Sequence, residues 1–243
     1  MKQVAVITGA ANGIGAATAR RMLADGYEVV GLDREPGAIE GVTFYEFDVT
    51  RTAEIDALLD RIEDKHGKIT AFANIAGAAA PTTMSTITPE ALQRHMAIFV
   101  EGAIFLSISA GNRMADNGGG RIVNVSSTGA TAAMPSFLAY NAAKGALDAA
   151  SRTLAQELAP RNVLLNVVAP GFVRTRMSNL EDGVNEADTE EFKTDFVNNG
   201  RLPIARTAEP SEVAEPIAFL LSERNTYISG ATLVVDGGLT STM

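Results

Sequence analysis

The sequence predicts an α/β fold, a doubly wound parallel sheet of about seven strands with helices on both faces, in one domain over residues 1–243. Three observations predict it. Short apolar runs alternate with helical periodicity along the whole chain. A glycine-rich turn joins the first run to the first helical stretch, and the second run ends on an acidic residue about 20 positions later.

Residues 2–8 (KQVAVIT) form the first strand, and helical patterning at 16–23 follows a turn containing Gly9, Gly13 and Gly15. Residues 27–33 (YEVVGLD) and 42–48 (VTFYEFD) supply the second and third strands. Residues 52–65 form a helix because Ile55, Leu58, Leu59 and Ile62 recur at helical spacing. The fourth strand is 70–75 (TAFANI). Helical patterning covers 90–114, and the fifth strand is 121–125 (RIVNV). Residues 139–158 make a long helix that Pro160 ends, since a proline has no N–H to continue it. Residues 163–168 and 231–235 complete the sheet. Strands separated by helices run parallel, and ligands then collect beyond their carboxyl ends.

Strand, glycine turn and helix occur in the order a Rossmann dinucleotide site requires. Glycines let the backbone approach a pyrophosphate, and the helix N-terminus offers it unpaired N–H groups and a positive dipole end. Asp33, ending the second strand, can accept hydrogen bonds from both hydroxyls of the adenosine ribose and would repel a 2′-phosphate. Asn12 stands where a basic residue would suit NADP, so the turn favours NAD; Arg34 is the opposing signal. Tyr140 and Lys144 project from one face of a helix at i and i+4. A nearby ammonium would lower the phenol's pKa toward the working range and let Tyr140 give or take a proton. Ser127, just past the fifth strand, can hold a substrate oxygen against the tyrosine.

With these residues the chain resembles the short-chain dehydrogenase/reductase family, in its compact single-domain branch, nearly end to end. Residues 8–15 (TGAANGIG) resemble its TGxxxGxG turn, Asp48 and Val49 its adenine-contacting pair, and Asn74-Ile75-Ala76-Gly77 its NNAG segment with isoleucine second. Ser127, Tyr140 and Lys144 match its catalytic serine and YxxxK. Pro170-Gly171 through Thr175 resembles its PGxxxT segment, and residues 227–230 (YISG) and 235–238 (VDGG) its C-terminal signature. The resemblance implies cofactor contacts at Gly9, Asn12, Gly13, Ile14, Gly15, Asp33, Asp48, Val49, Asn74, Ala76, Gly77, Tyr140, Lys144, Pro170, Gly171, Val173 and Thr175. It implies hydride transfer between NAD and a secondary alcohol or ketone, with Tyr140 as general acid/base, Lys144 lowering its pKa and binding the nicotinamide ribose, and Ser127 polarising the substrate oxygen. An NADP-linked ketoacyl-type reductase and a catalytically weak NAD(H)-binding sensor or scaffold are the alternatives.

One position departs from the family pattern. Phe99 of Met96-Ala-Ile-Phe-Val-Glu-Gly102 stands where the family carries an asparagine credited with holding a relay water. Phenylalanine offers neither donor nor acceptor. Another route serves the relay, or turnover is slow, or the chain is not an active enzyme. Between residues 176 and 206, Glu181, Asp182, Glu186, Asp188, Glu190, Glu191 and Asp195 alternate with Met177, Leu180, Phe192, Val197 and Leu202. The resemblance makes this a substrate lid. Small residues 78–80 and apolar Met134 and Phe137 point to a small, largely apolar substrate, while Arg174 and Arg176 allow a carboxylate.

Composition narrows the partners. The formal net charge of -9 opposes binding to nucleic acid or an anionic membrane. Zero cysteines exclude disulfides, thiolate catalysis and cysteine-bound metal, and His66 and His95 make no ligand pair, so no metal is expected. No signal peptide or long apolar run is expected, which points to a cytoplasmic chain. The resemblance suggests a homotetramer built on the helices at 92–114 and 139–158.

Overall fold

A computed structural model describes residues 3–132, 134–180 and 182–241; Lys2 and Glu181, assigned above to the first strand and the acidic stretch, lie outside these residues. Seven strands form one sheet: β1 (Val4–Thr8), β2 (Glu28–Asp33), β3 (Val42–Glu46), β4 (Ile69–Asn74), β5 (Gly120–Val125), β6 (Val163–Pro170) and β7 (Thr232–Val235). Their order is β3-β2-β1-β4-β5-β6-β7. All neighbours are parallel, with Val6 opposite Val30 and Phe72, and Asn74 opposite Asn124.

Helices α1 (Gly13–Ala24), α2 (Ile55–His66), α3 (Pro89–Met96), α4 (Ala103–Asp116), α5 (Leu138–Leu158), α6 (Glu190–Phe192) and α7 (Pro210–Leu221) connect the strands. Successive strand residues point to opposite faces, so the central strands must be apolar on both sides. Val4 and Val6 of β1 join Phe72, Leu59, Ile62, Leu106, Met114 and Leu165 in one layer; Ala5 and Ile7 join Met22, Ala73, Val123, Val213 and Ile217 in the other. Helix α7 has no counterpart among the elements expected from sequence. Glu209 caps it in a reciprocal arrangement with Glu212, and it buries Val213, Ile217 and Leu221 beside α1.

The helix expected over 90–114 is a 28-residue run, Pro89–Asp116, long and apolar enough by composition to cross a membrane, contrary to the sequence expectation. One face of it packs on the sheet, and 39% of its apolar stretch is buried. Leu106, Ala110 and Met114 are fully buried, and α4 packs on β4, β5 and α5. The Thr88 side chain caps its start, and a π-helical turn, Ala97–Gly102, interrupts it. Gly102 closes that turn because a Cβ there would lie 2.6 Å from the Val49 carbonyl oxygen. The chain runs outward from β1 through β2 to β3, then returns to β4 on the other side of β1. The switch point between β1 and β4 opens a crevice at their carboxyl ends.

Candidate active site

One cleft of about 890 Å³ opens at this end of the sheet, and every site residue expected from sequence lines it except Asn74. The glycine turn forms one wall. Gly9 and Gly13 have φ of +68° and +54°, and a Cβ on Gly9 would lie 2.8 Å from the Ala76 Cα. A Cβ on Gly15 would collide with the Gly9 carbonyl. The three glycines therefore let the turn bring α1's N-terminus and its amides to the cleft. The Thr8 hydroxyl accepts from the Ile75 and Ala76 amides (2.9 and 3.0 Å), fixing the chain leaving β4 against β1.

Asn74 turns its amide nitrogen into the core. Its Nδ2 donates to Asn124 Oδ1 (2.8 Å), Ser107 Oγ (3.0 Å) and the Ala103 carbonyl (3.3 Å), and Asn124 in turn donates to Ser151 (2.9 Å). Asn74 thus ties β4 to β5 and α4, while its Oδ1 is buried without a hydrogen-bond partner among the described residues and the residue lines a small cavity with Ala76, Phe99 and Lys144.

At the adenosine end, Asp33 is held by two backbone donors, the Ala11 amide at 3.0 Å and the Glu35 amide at 3.1 Å. Arg34 lies 3.8 Å from Asp48. Sequence reasoning missed Glu35, whose signal was its place two residues past Asp33. It pairs with Arg176 and receives Asn12 Nδ2 at 3.3 Å. Arg174 pairs with Asp188. Both arginines allowed above for a carboxylated substrate are therefore already matched with carboxylates.

Ser127 stands beyond β5 with its hydroxyl accepting from the Gly129 amide at 3.1 Å. Tyr140 and Lys144 occupy successive turns near the start of α5. The Tyr140 phenol lies within the influence of the Ser127 hydroxyl, which lowers its pKa. Its expected depression by Lys144 is not what the structure shows. Burial pushes the phenol up, against a smaller lowering by Ser127. The reason lies in where the ammonium goes: Lys144 Nζ donates to the Val125 carbonyl at 2.7 Å and sits 4.1 Å from the centre of the Phe99 ring. Burial pulls Lys144 down to about 7, with Asp148 one turn along opposing it. Phe99 projects from the π-helical turn, is 2% exposed, and meets Tyr140 edge to face at 5.2 Å. Its ring covers Gly77, where a Cβ would clash with it.

The substrate side is more polar than the expectation of a largely apolar pocket. Phe137, Met134 and the mutually packed Phe172, Phe192 and Phe196 (4.7–5.0 Å between centroids) supply apolar wall. Arg94, Glu186, Glu191, Asp195 and Arg201 line the same cleft, and burial raises the Glu186 carboxyl.

Comparison with known proteins agrees with this geometry. A family model described as enoyl-(acyl carrier protein) reductase matches residues 9–240. The chain is 32% identical to 3-oxoacyl-[acyl-carrier-protein] reductase MabA of Mycobacterium tuberculosis, across 96% of this chain and 91% of that protein. It is 30% identical to L-2,3-butanediol dehydrogenase of Corynebacterium glutamicum, across 98% and 99%. Among solved structures, ligand-free aldohexose dehydrogenase of Thermoplasma acidophilum superposes with a TM-score of 0.91 at 28% identity, across 100% of this chain and 95% of the other. ElxO with NADP bound does so with a TM-score of 0.89 at 27% identity, across 100% of both. Strands β2 to β7, the glycine turn from Gly9 and the Ser127, Tyr140 and Lys144 cluster all lie within the region the family model matches, and the chain belongs to the short-chain dehydrogenase/reductase family.

Proposed function

We propose that this chain is an NAD-dependent oxidoreductase that interconverts a secondary alcohol and a ketone. The observation that carries the proposal is the convergence of Ser127, Tyr140 and Lys144 on the cleft that the glycine turn and Asp33 also line. The glycine turn fits a dinucleotide, because Gly9 and Gly15 let β1, the turn and the chain leaving β4 pack closely enough to present the α1 N-terminus at the cleft. Gly13, Ile14 and the α1 N-terminus would hold the pyrophosphate, Asp33 the adenosine ribose, Asp48 and Val49 the adenine, and residues 170–175 the nicotinamide end. The bound dinucleotide supplies a hydride acceptor for oxidation and a donor for reduction.

The chain's own residues handle the proton. Ser127 donates to the substrate oxygen and holds it beside the Tyr140 hydroxyl. Tyr140 takes the alcohol proton in oxidation and returns it to the carbonyl oxygen in reduction. Burial holds the phenol protonated, the form that donates in reduction. Lys144, reaching the nicotinamide ribose, would favour the phenolate in oxidation. Segment 176–206 serves as a lid that excludes water, and its carboxylates, with Arg94, favour a substrate bearing hydroxyl or other polar groups beside the reacting carbon.

Asp33 and Asn12 support NAD over NADP. The likeness to 3-oxoacyl-[acyl-carrier-protein] reductases and to ElxO with NADP bound favours a second reading, an NADP-linked ketoacyl reductase with the same proton chemistry. Tyr140→Phe tests the common core. It is expected to reduce turnover at least about a thousandfold in an NAD-coupled alcohol and ketone screen while leaving NADH affinity within about threefold. Retained turnover would refute the role of Tyr140.

We further propose a homotetramer. Phe105 and Ile108 on α4, Leu138 on α5, and Leu233 and Val234 on the edge strand β7 are exposed apolar side chains at two separate faces.

A further inference from the structure

We propose that Glu35 makes this chain select an unphosphorylated adenosine ribose by holding Arg176 in an ion pair across the mouth of the cleft. The inference rests on reading that cleft as a dinucleotide site. It concerns residues two positions beyond the acidic end of β2 and at the start of the lid. Their approach cannot be read from either segment alone.

Two cations line the end of the cleft where Asp33 stands, Arg34 and Arg176. Both are committed. Arg34 faces Asp48 at 3.8 Å. Arg176 is bound in a two-point fork, Nη2 to Glu35 Oε1 at 2.8 Å and Nη1 to Glu35 Oε2 at 3.0 Å. The Asn12 amide reaches the second of these oxygens at 3.3 Å, so the residue before Gly13 also anchors Glu35. The arginine guanidinium holds the Glu35 carboxyl below its usual range. The pair joins the strand β2 side of the cleft to the segment that follows Thr175, whose methyl lies over Gly13.

A ribose hydroxyl can donate to a carboxylate, whereas a 2′-phosphate cannot and needs a cation. Here the phosphate would meet the Asp33 and Glu35 carboxylates first. Recruiting Arg176 would break its fork and leave Glu35 an unmatched anion beside the incoming charge. Glu35 therefore acts twice, adding a negative charge and withholding the Arg176 guanidinium. Both partners are about half or more exposed, so the effect is one of charge placement at the rim and weakens with salt.

The test is equilibrium titration of NADH and NADPH, read by nicotinamide fluorescence, on the wild type, Glu35→Gln, Arg176→Gln and the double variant. Glu35→Gln is expected to tighten NADPH about tenfold and to leave NADH within about threefold, and the gain should shrink at high salt. Arg176→Gln alone should not improve NADPH, and the double variant should lose most of the Glu35→Gln gain. An equal gain with and without Arg176 overturns the withholding of the arginine. So does a wild-type preference for NADH that Glu35→Gln leaves unmoved, which spares the reading of the cleft. A wild type that binds neither dinucleotide removes that reading and the inference together.

Discussion

Lys144→Met measures directly what the fold invests in a buried ammonium. Lys144 is 4% exposed, and burial lowers its pKa from the ordinary 10.5 to about 7. Between those values the unfolded chain carries a proton that the folded chain has released, so stability rises with pH across this window. Below about pH 7 both states are protonated and the full cost of burying the charge is present. At 1.36 kcal/mol per tenfold change in proton affinity, the cost has a ceiling of roughly 5 kcal/mol. The Val125 carbonyl and the Phe99 ring favour the charged form and bring the expected value nearer 2–3 kcal/mol, on the order of a strong hydrogen bond and a cation–π contact below the ceiling. Methionine keeps most of the side-chain volume and no charge. Urea unfolding of both proteins from pH 6 to 10 should show the variant gaining most at pH 6, with the gap narrowing by roughly 2 kcal/mol toward pH 10. Comparing the two proteins cancels every group whose titration Lys144 does not influence; Asp148, whose pKa Lys144 lowers, is the exception. A gap that stays constant across the range would show that Lys144 keeps its proton throughout and would refute the reasoning.

Phe99→Asn replaces the ring that covers the Lys144 ammonium with a polar side chain. It should lower stability by about 2–4 kcal/mol, as for other large-to-small core changes. If the proton path from Lys144 is obstructed, the chemical step measured in single turnover should speed up at least about tenfold; an unchanged or slower step counts against obstruction. Sedimentation velocity should find a tetramer that Phe105→Glu or Leu233→Lys disrupts, and a stable wild-type monomer would remove the assembly proposal.

Much of the fold was legible because its signals are local. Each central strand is short and apolar on both faces, and glycines mark the first turn unmistakably. Asp33, Ser127, Tyr140 and Lys144 sit at element ends whose position follows from strand order. What escaped were facts set by contact between distant segments. Nothing in the spacing of Asn74 says that its amide nitrogen turns inward to Asn124 and Ser107 rather than toward the cleft. The Tyr140 and Lys144 spacing places both side chains on one helix face but cannot say that the ammonium finds Val125 and Phe99. Pairing of Glu35 with Arg176 likewise joins residues at opposite sides of the cleft. Helix α7 carries prolines at 210 and 216, residues that sequence patterns read as breaks, yet Pro210 occupies the first turn, where its missing N–H costs nothing.

The π-helical turn at Ala97–Gly102 has a consequence for how this chain can change. An extra residue in one turn offsets the helical phase by about 100°. The N-terminal part can therefore aim Phe99 at the cleft while the C-terminal part keeps Leu106, Ala110 and Met114 in step with the sheet. One half answers to chemistry and the other to the core. A substitution at residue 99 alters what Lys144 touches without rotating the residues that hold the sheet, whereas removing one residue from the turn would force the two halves into a single phase and set those demands against each other.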